Sequence, residues 1–252
     1  MKHFFTLSLF CTALAAFAQR PAADEIKTVK GPLMIQPILH GSVVFTCNKK
    51  TIYIDPYGAA LAYKGLAAPD LILITDIHPD HLDTTALNGI PGTTKAKFIV
   101  PKAVADKLPA KYKTNMIVLN NDQKITEDGI IITAIPMYNL PEAEDAMHTK
   151  GRGNGYIINL AGKIIYISGD TEDTPEMLAL KNIDIAFVCM NLPYTMDIKQ
   201  AAKAVLAFKP GIVYPYHYRG KEGLSDVNEF KKLVNAGNKT IDVRLANWYP
   251  QY

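Results

Sequence analysis

PDLILITDIHPDHLD, residues 69–83, decides how this chain is read. Residues 71–75 form a short apolar, β-rich run of the kind that makes a buried strand. The run leads directly into Asp76, His78, Asp80 and His81, four possible metal ligands within six residues. So many polar groups at one strand end repel one another and are costly to desolvate unless a cation compensates them. From an extended backbone Asp76 and His78 point the same way, and Asp80 and His81 then turn toward a second position. A plainer reading is an Asp-rich turn that caps a helix beginning at LDTTALNG, with Asp80 or Asp83 as the cap. A cap does not need two interleaved histidines, so a metal site is the stronger expectation.

Around this segment, short β-rich runs alternate with helix-like stretches at residues 102–108, 174–180, 198–208 and 225–236. That alternation predicts an α/β layer protein. Two segments look alike. VVFTCNKKTIYIDP (43–56) and YIINLAGKIIYISGD (156–170) each read as strand, polar turn and strand, closed by Asp55 and Asp170 respectively. The likeness predicts one domain of two similar halves, residues 19–252. Residues 19–30 read as a polar leader ahead of the first strand.

Two downstream motifs repeat the pattern of a polar residue at a strand end. IYISGDT (165–171) places Asp170 there, and VYPYHY (213–218) places His217. DIHPDH is one residue away from the H-x-H-x-D-H motif of the metallo-β-lactamase superfamily, which this chain resembles from about residue 34 to residue 246. The nearest likeness is to the branch that includes the ascorbate-6-phosphate lactonase-like proteins. The resemblance implies an αββα four-layer sandwich with metals at one sheet edge. It also implies that His78, Asp170 and partners hold one metal, while Asp80, His81, Asp170 and His217 hold the other. Asp76 stands where the superfamily usually has its first histidine, and a carboxylate there shifts preference toward harder cations. The third histidine is expected after IIITAIP, where the chain has Tyr138 and Asn139. Asn139 offers an amide oxygen; His148 either folds back to supply an imidazole or meets solvent as a loop residue. The resemblance thus implies one or two divalent ions, zinc first, with manganese or iron as alternatives, and Asp80 orienting the reactive water.

Three further features bear on substrate. HTKGRGNG (148–155) sets Lys150 and Arg152 in a glycine-rich loop, which either holds a substrate carboxylate or phosphate or is an ordinary turn. Tyr194, in NLPYTM (191–196), follows a strand and suits a site mouth, so Tyr194, His148 and Asn139 are the candidate substrate contacts. Glu172 and Asp173 precede Thr174-Pro175, a helix start, and belong with the cap.

Lys2, an apolar stretch and Ala16-Phe17-Ala18 read as a signal peptide over residues 1–18, predicting an exported, periplasmic or secreted protein. Its removal leaves 234 residues at net charge +2, against +3 for all 252. So small a charge excludes a bulk electrostatic case for nucleic acid or a polybasic membrane surface and leaves a small-molecule substrate as the expected partner. Cys47 and Cys189 lie in apolar runs and read as buried free thiols. The expected function is an exported metal-dependent hydrolase acting on a small ester, lactone or phosphoester. The alternative is a binding protein on the same fold whose first metal site is incomplete.

Overall fold

The computed structural model describes residues 20–250; the proposed signal peptide lies outside them. The chain first lays down β1 (Asp24–Thr28), β2 (Gly31–Leu39), β3 (Ser42–Cys47), β4 (Lys50–Ile54), β5 (Leu71–Leu73), β6 (Lys97–Val100) and β7 (Met116–Val118). These make one seven-stranded sheet in sequence order. A second sheet follows from β8 (Lys124–Glu127), β9 (Ile130–Met137), β10 (Gly153–Leu160), β11 (Lys163–Ile167), β12 (Ile185–Cys189) and β13 (Ile212–Tyr216). After the small hairpin β14 (Arg219–Gly220) and β15 (Gly223–Leu224), β16 (Asp242–Val243) completes its far edge beside β13.

The halves share one pairing pattern. In the first, β1 through β4 pair antiparallel, and β4, β5, β6 and β7 pair parallel. In the second, β8 through β11 pair antiparallel, and β11, β12, β13 and β16 pair parallel. The hairpins recognised in the sequence, β3–β4 and β10–β11, are therefore equivalent.

Period-two alternation explains the layers. On β3, Val43, Phe45 and Cys47 face the other sheet, whereas Val44 packs in the outer cluster; on β4 Ile52 and Ile54 go inward and Tyr53 outward. The outer face of the first sheet is covered by α1 (Thr84–Gly89) and α2 (Lys102–Lys107). That of the second is covered by α3 (Pro175–Leu178), α4 (Ile198–Phe208) and α5 (Val227–Gly237). The result is the αββα sandwich. Among the described residues no helix is long and apolar enough to cross a membrane.

The leader expectation fails at β1, where residues 24–28 form an edge strand on β2. Only Ile26 of the five is buried, so the strand carries one apolar contact and its backbone pairing, too little for a hydrophobic pattern to reveal. Cys47 and Cys189 are buried free thiols, as expected.

Direction matters more than layering for the site. Registers make β2, β4 and β5 run the same way in the first sheet and β9, β11, β12 and β13 in the second, and the hydrogen bonds His217 N to His40 O and Asn154 N to Thr75 O bring the ends of the two sets together at one edge. His40, Asp55, Thr75-Asp76, Tyr138-Asn139, Asp170, Asn191 and His217 follow at or close after those ends. Crevices at the carboxyl ends of strands are where open α/β sheets bind ligands.

Candidate metal centre

All five histidines of the described residues converge on this edge. After β5 the chain turns tightly, with His81 N and Leu82 N both donating to His78 O. The turn sends His78 one way and His81 the other, and Asp83 rather than Asp80 caps α1, its Oδ1 accepting from Thr85 N and Ala86 N.

His81 is the best-held member. Its Nδ1 lies 2.8 Å from Asp55 Oδ2, and Asp55 also accepts from Thr75 N at 2.7 Å and Thr75 Oγ1 at 2.6 Å. A fully buried carboxylate so placed fixes Nδ1 as the donor and leaves Nε2 for the site. That Nε2 lies 3.2 Å from His217 Nε2 and 3.3 Å from Asp170 Oδ2. His217 Nε2 is in turn 3.4 Å from both Asp170 Oδ1 and Asp80 Oδ2. Asp170 Oδ1 is buried without a hydrogen-bond partner.

Two imidazole nitrogens facing each other, beside an orphaned carboxylate oxygen, demand positive charge between them. Electrostatics agree. Burial pulls the His81 pKa down, but Asp170 and Asp55 outweigh it and hold it well above the usual histidine value. Burial pushes Asp170 up, and the charges of His217 and His81 with the His148 hydrogen bond bring it well below the carboxylate range. A proton or a divalent ion meets this demand, and imidazole with carboxylate is a donor set suited to zinc, iron or manganese. The residues fit a metal.

The second cluster is Asp76, His78 and His148. His78 Nδ1 lies 2.6 Å from Asp76 Oδ2; His148 Nε2 is 3.2 Å from Asp170 Oδ2 and 3.9 Å from Asp76 Oδ2. Asp170 thus stands between the clusters. His148 is 1% exposed, which corrects the solvent-facing loop reading. Its fold-back is organised by Asn139, whose Oδ1 accepts from His148 N at 2.8 Å and lies 3.1 Å from His148 Nδ1. Asn139 Nδ2 donates to Tyr194 O and Glu172 Oε1, so every polar group of this side chain is engaged. Asn139, expected as a substrate contact, thus spends its side chain on His148, Tyr194 and Glu172.

The glycine-rich loop is also reassigned. Arg152 grips Asp76 with a two-pronged contact, Nε to Oδ1 at 3.1 Å and a terminal nitrogen to Oδ2 at 2.9 Å. Lys150 is paired with Glu142 and Glu176. Gly153 is required because a Cβ there would meet Met137 Cε at 2.5 Å and Thr75 O at 2.8 Å. Close packing, not phosphate binding, explains this glycine. Thr174 caps α3 as expected, while Glu172 and Asp173 accept from Gln200 of α4.

His40, unassigned from sequence, places Nε2 3.2 Å from Asp80 Oδ2 and Nδ1 2.8 Å from Tyr249 Oη. Its ring lies over His217, centroids 3.8 Å apart. His217 takes a left-handed backbone, φ 46°, and a Cβ on Gly41 would reach its Cδ2 at 2.8 Å. The signal for His40 was its position after β2, legible only once the strand direction is known. A cleft of ≈ 280 Å³ opens on the centre, lined by His78, Asp80, His148, Asp170, Asn191 and Tyr194 among others.

A sheet sandwich with histidines and aspartates gathered at one edge defines a class, that of metal-centred αββα proteins. The beta-lactamase superfamily domain matches residues 34–217, and this chain belongs to that superfamily, with its metallo-β-lactamase fold. A UPF0173 metal-dependent hydrolase of Pyrococcus abyssi is 33% identical over 205 residues, 77% of this chain and 89% of the relative. The crystal structure of a metal-dependent hydrolase from Parabacteroides distasonis superposes with a TM-score of 0.79 at 38% identity, over 90% of this chain and 98% of that one. A metallo hydrolase from Ignicoccus hospitalis gives 0.71 at 26%, over 84% and 94%.

Proposed function

We propose that this metal-dependent hydrolase of the metallo-β-lactamase superfamily acts on a small ester, lactone or phosphoester, with Asp80, His81, Asp170 and His217 as its principal metal ligands. One observation carries the reading: His81 Nε2, His217 Nε2 and the orphaned Asp170 Oδ1 converge beside Asp80. A divalent ion held by these residues would lower the pKa of bound water from ~15.7 toward ~7 and so would supply a nucleophile at neutral pH.

The chain's own groups define the rest. Asp55 and Thr75 fix the His81 ring, and Asn139 fixes His148. His40 holds Asp80 Oδ2, so the Asp80 carboxylate, partly exposed to the cleft, is set to accept a hydrogen bond from the attacking water. Tyr194 lines the mouth with Met147, a polar tip and an apolar wall suited to a substrate with both characters. A cleft of ≈ 280 Å³ favours a small substrate. Zinc suits the histidine-rich position, and the carboxylate Asp76 favours manganese or iron at the other. The lactonase-like resemblance makes lactones the first compounds to try. Residues 1–18 support export, which N-terminal sequencing of the cell-fractionated protein checks.

Elemental analysis of the purified protein, followed by lactone, ester and phosphoester assays before and after chelation, tests this reading. At least one metal per chain and turnover that chelation removes are expected. Metal-free protein under every loading condition, or activity indifferent to chelation, overturns it.

A further inference from the structure

Resting on the metal-site reading, we infer that Arg152 and Asp76 act as one unit: the Arg152 guanidinium is a built-in cation that weakens divalent-ion binding at the Asp76–His78–His148 position. Both Asp76 oxygens are engaged by Arg152, at 3.1 and 2.9 Å, and Asp76 is fully buried while Arg152 is 19% exposed at its side chain. The pair is built in rather than incidental. Asn154 N donates to Thr75 O, and Gly153 packs against the same carbonyl, which fixes Arg152 beside Asp76.

Charge decides the consequence. A divalent ion ligated by Asp76 Oδ2 would share that oxygen with a permanently charged guanidinium, in surroundings where water screens poorly. Asp76 alone would add one negative charge relative to a histidine; Asp76 with Arg152 adds none. The other position, around His81 and His217, has no such neighbour among the described residues, so the two positions differ in affinity by design of the second half's loop.

Manganese titration of the intact protein, followed by electron paramagnetic resonance and calorimetry, separates one isolated ion from a coupled pair. Wild type is expected to fill one position tightly and the second much more weakly. Arg152→Gln is expected to tighten the second equivalent by about tenfold or more, and Arg152→Lys, which keeps the charge, to stay within about threefold of wild type. Should R152Q fail to fold because its buried carboxylate is unpaired, two further variants decide. Asp76→His alone keeps Arg152 uncompensated, and Asp76→His with Arg152→Gln is neutral. The double variant is expected to bind the second ion at least tenfold tighter than the single one. A second equivalent that binds no tighter in R152Q than in wild type overturns the inference, as does equal binding by D76H and the double variant. Absence of any tight equivalent in all of them overturns the metal-site reading instead.

Discussion

Asp55 and Asp170 close the second strand of equivalent hairpins, β3–β4 and β10–β11, yet they serve opposite sides of one imidazole. Asp55 Oδ2 is 2.8 Å from His81 Nδ1, and Asp170 Oδ2 is 3.3 Å from His81 Nε2. What separates them is how their lone pairs are spent. Asp55 accepts from a backbone N–H, a hydroxyl and a ring nitrogen, which leaves it inert and rigid. Asp170 keeps Oδ1 without a partner and faces His81, His148 and His217. A duplicated strand end has become a holder in one half and a candidate ligand in the other, and the Thr75 hydroxyl and amide do much to make the difference.

The largest effect that could break this contrast comes from Asp170→Asn. It removes the charge shared by both clusters, so retained metal is expected to fall below one-tenth per chain and hydrolysis by about a thousandfold or more. Metal content by mass spectrometry after gel filtration reads it. Retention like wild type would place the centre elsewhere. Asp55→Asn is the matched experiment. Its expected loss is about 10- to 100-fold in metal affinity, recoverable at high metal concentration, because His81 is loosened rather than deleted. If the two variants behaved alike, holder and ligand would not be distinct roles.

Much of the candidate ligand set was legible because it is local: DIHPDH, Asp170 and His217 each sit at a strand end where a polar residue interrupts an apolar run. The duplication was legible through its two hairpins, and the helix at residues 198–208 matches α4 residue for residue. Partnerships were not legible. His40 reaches Asp80 across 40 positions, Arg152 reaches Asp76 across 76, and Asn139 serves His148 rather than the cleft. Such contacts depend on strand direction and loop closure, which periodicity does not encode. Edge strand β1, with one buried residue, escaped for the related reason that pairing rather than patterning makes it.

Smaller effects sharpen the contrast between holding and ligating. Asn139→Ala frees His148 and is expected to weaken the second metal equivalent by about tenfold while the first is unchanged, as a titration would show. His40→Gln is expected to lower kcat by about tenfold with metal content and KM unaltered, since His40 orients Asp80 and meets His217 by ring stacking and a backbone hydrogen bond, not through the nitrogen that faces His81. A loss of metal in that variant would make His40 a ligand.

The smallest effect concerns Asp76, the third strand-end aspartate, which is both held by Arg152 and aimed at a cluster. Burial raises its pKa, but the His78 hydrogen bond and the charges of His81, His78 and Arg152 bring it down to about 2. A folded-state value below the unfolded one means that the carboxylate stabilises the fold above its unfolded pKa, and that this contribution fades as pH falls toward the folded value. For Asp76 the window opens near pH 4 and closes near pH 2. Urea unfolding of chelator-treated protein should therefore show the stability difference between wild type and Asp76→Asn shrinking by about 1 kcal/mol from pH 5 to pH 3. The subtraction matters, because Asp80 and Asp170 are also held low and titrate in both proteins. A difference that stays constant over that range would mean that Arg152 and the neighbouring histidines do not hold Asp76 charged. The Arg152–Asp76 pair would then lose its part in setting the two metal positions apart.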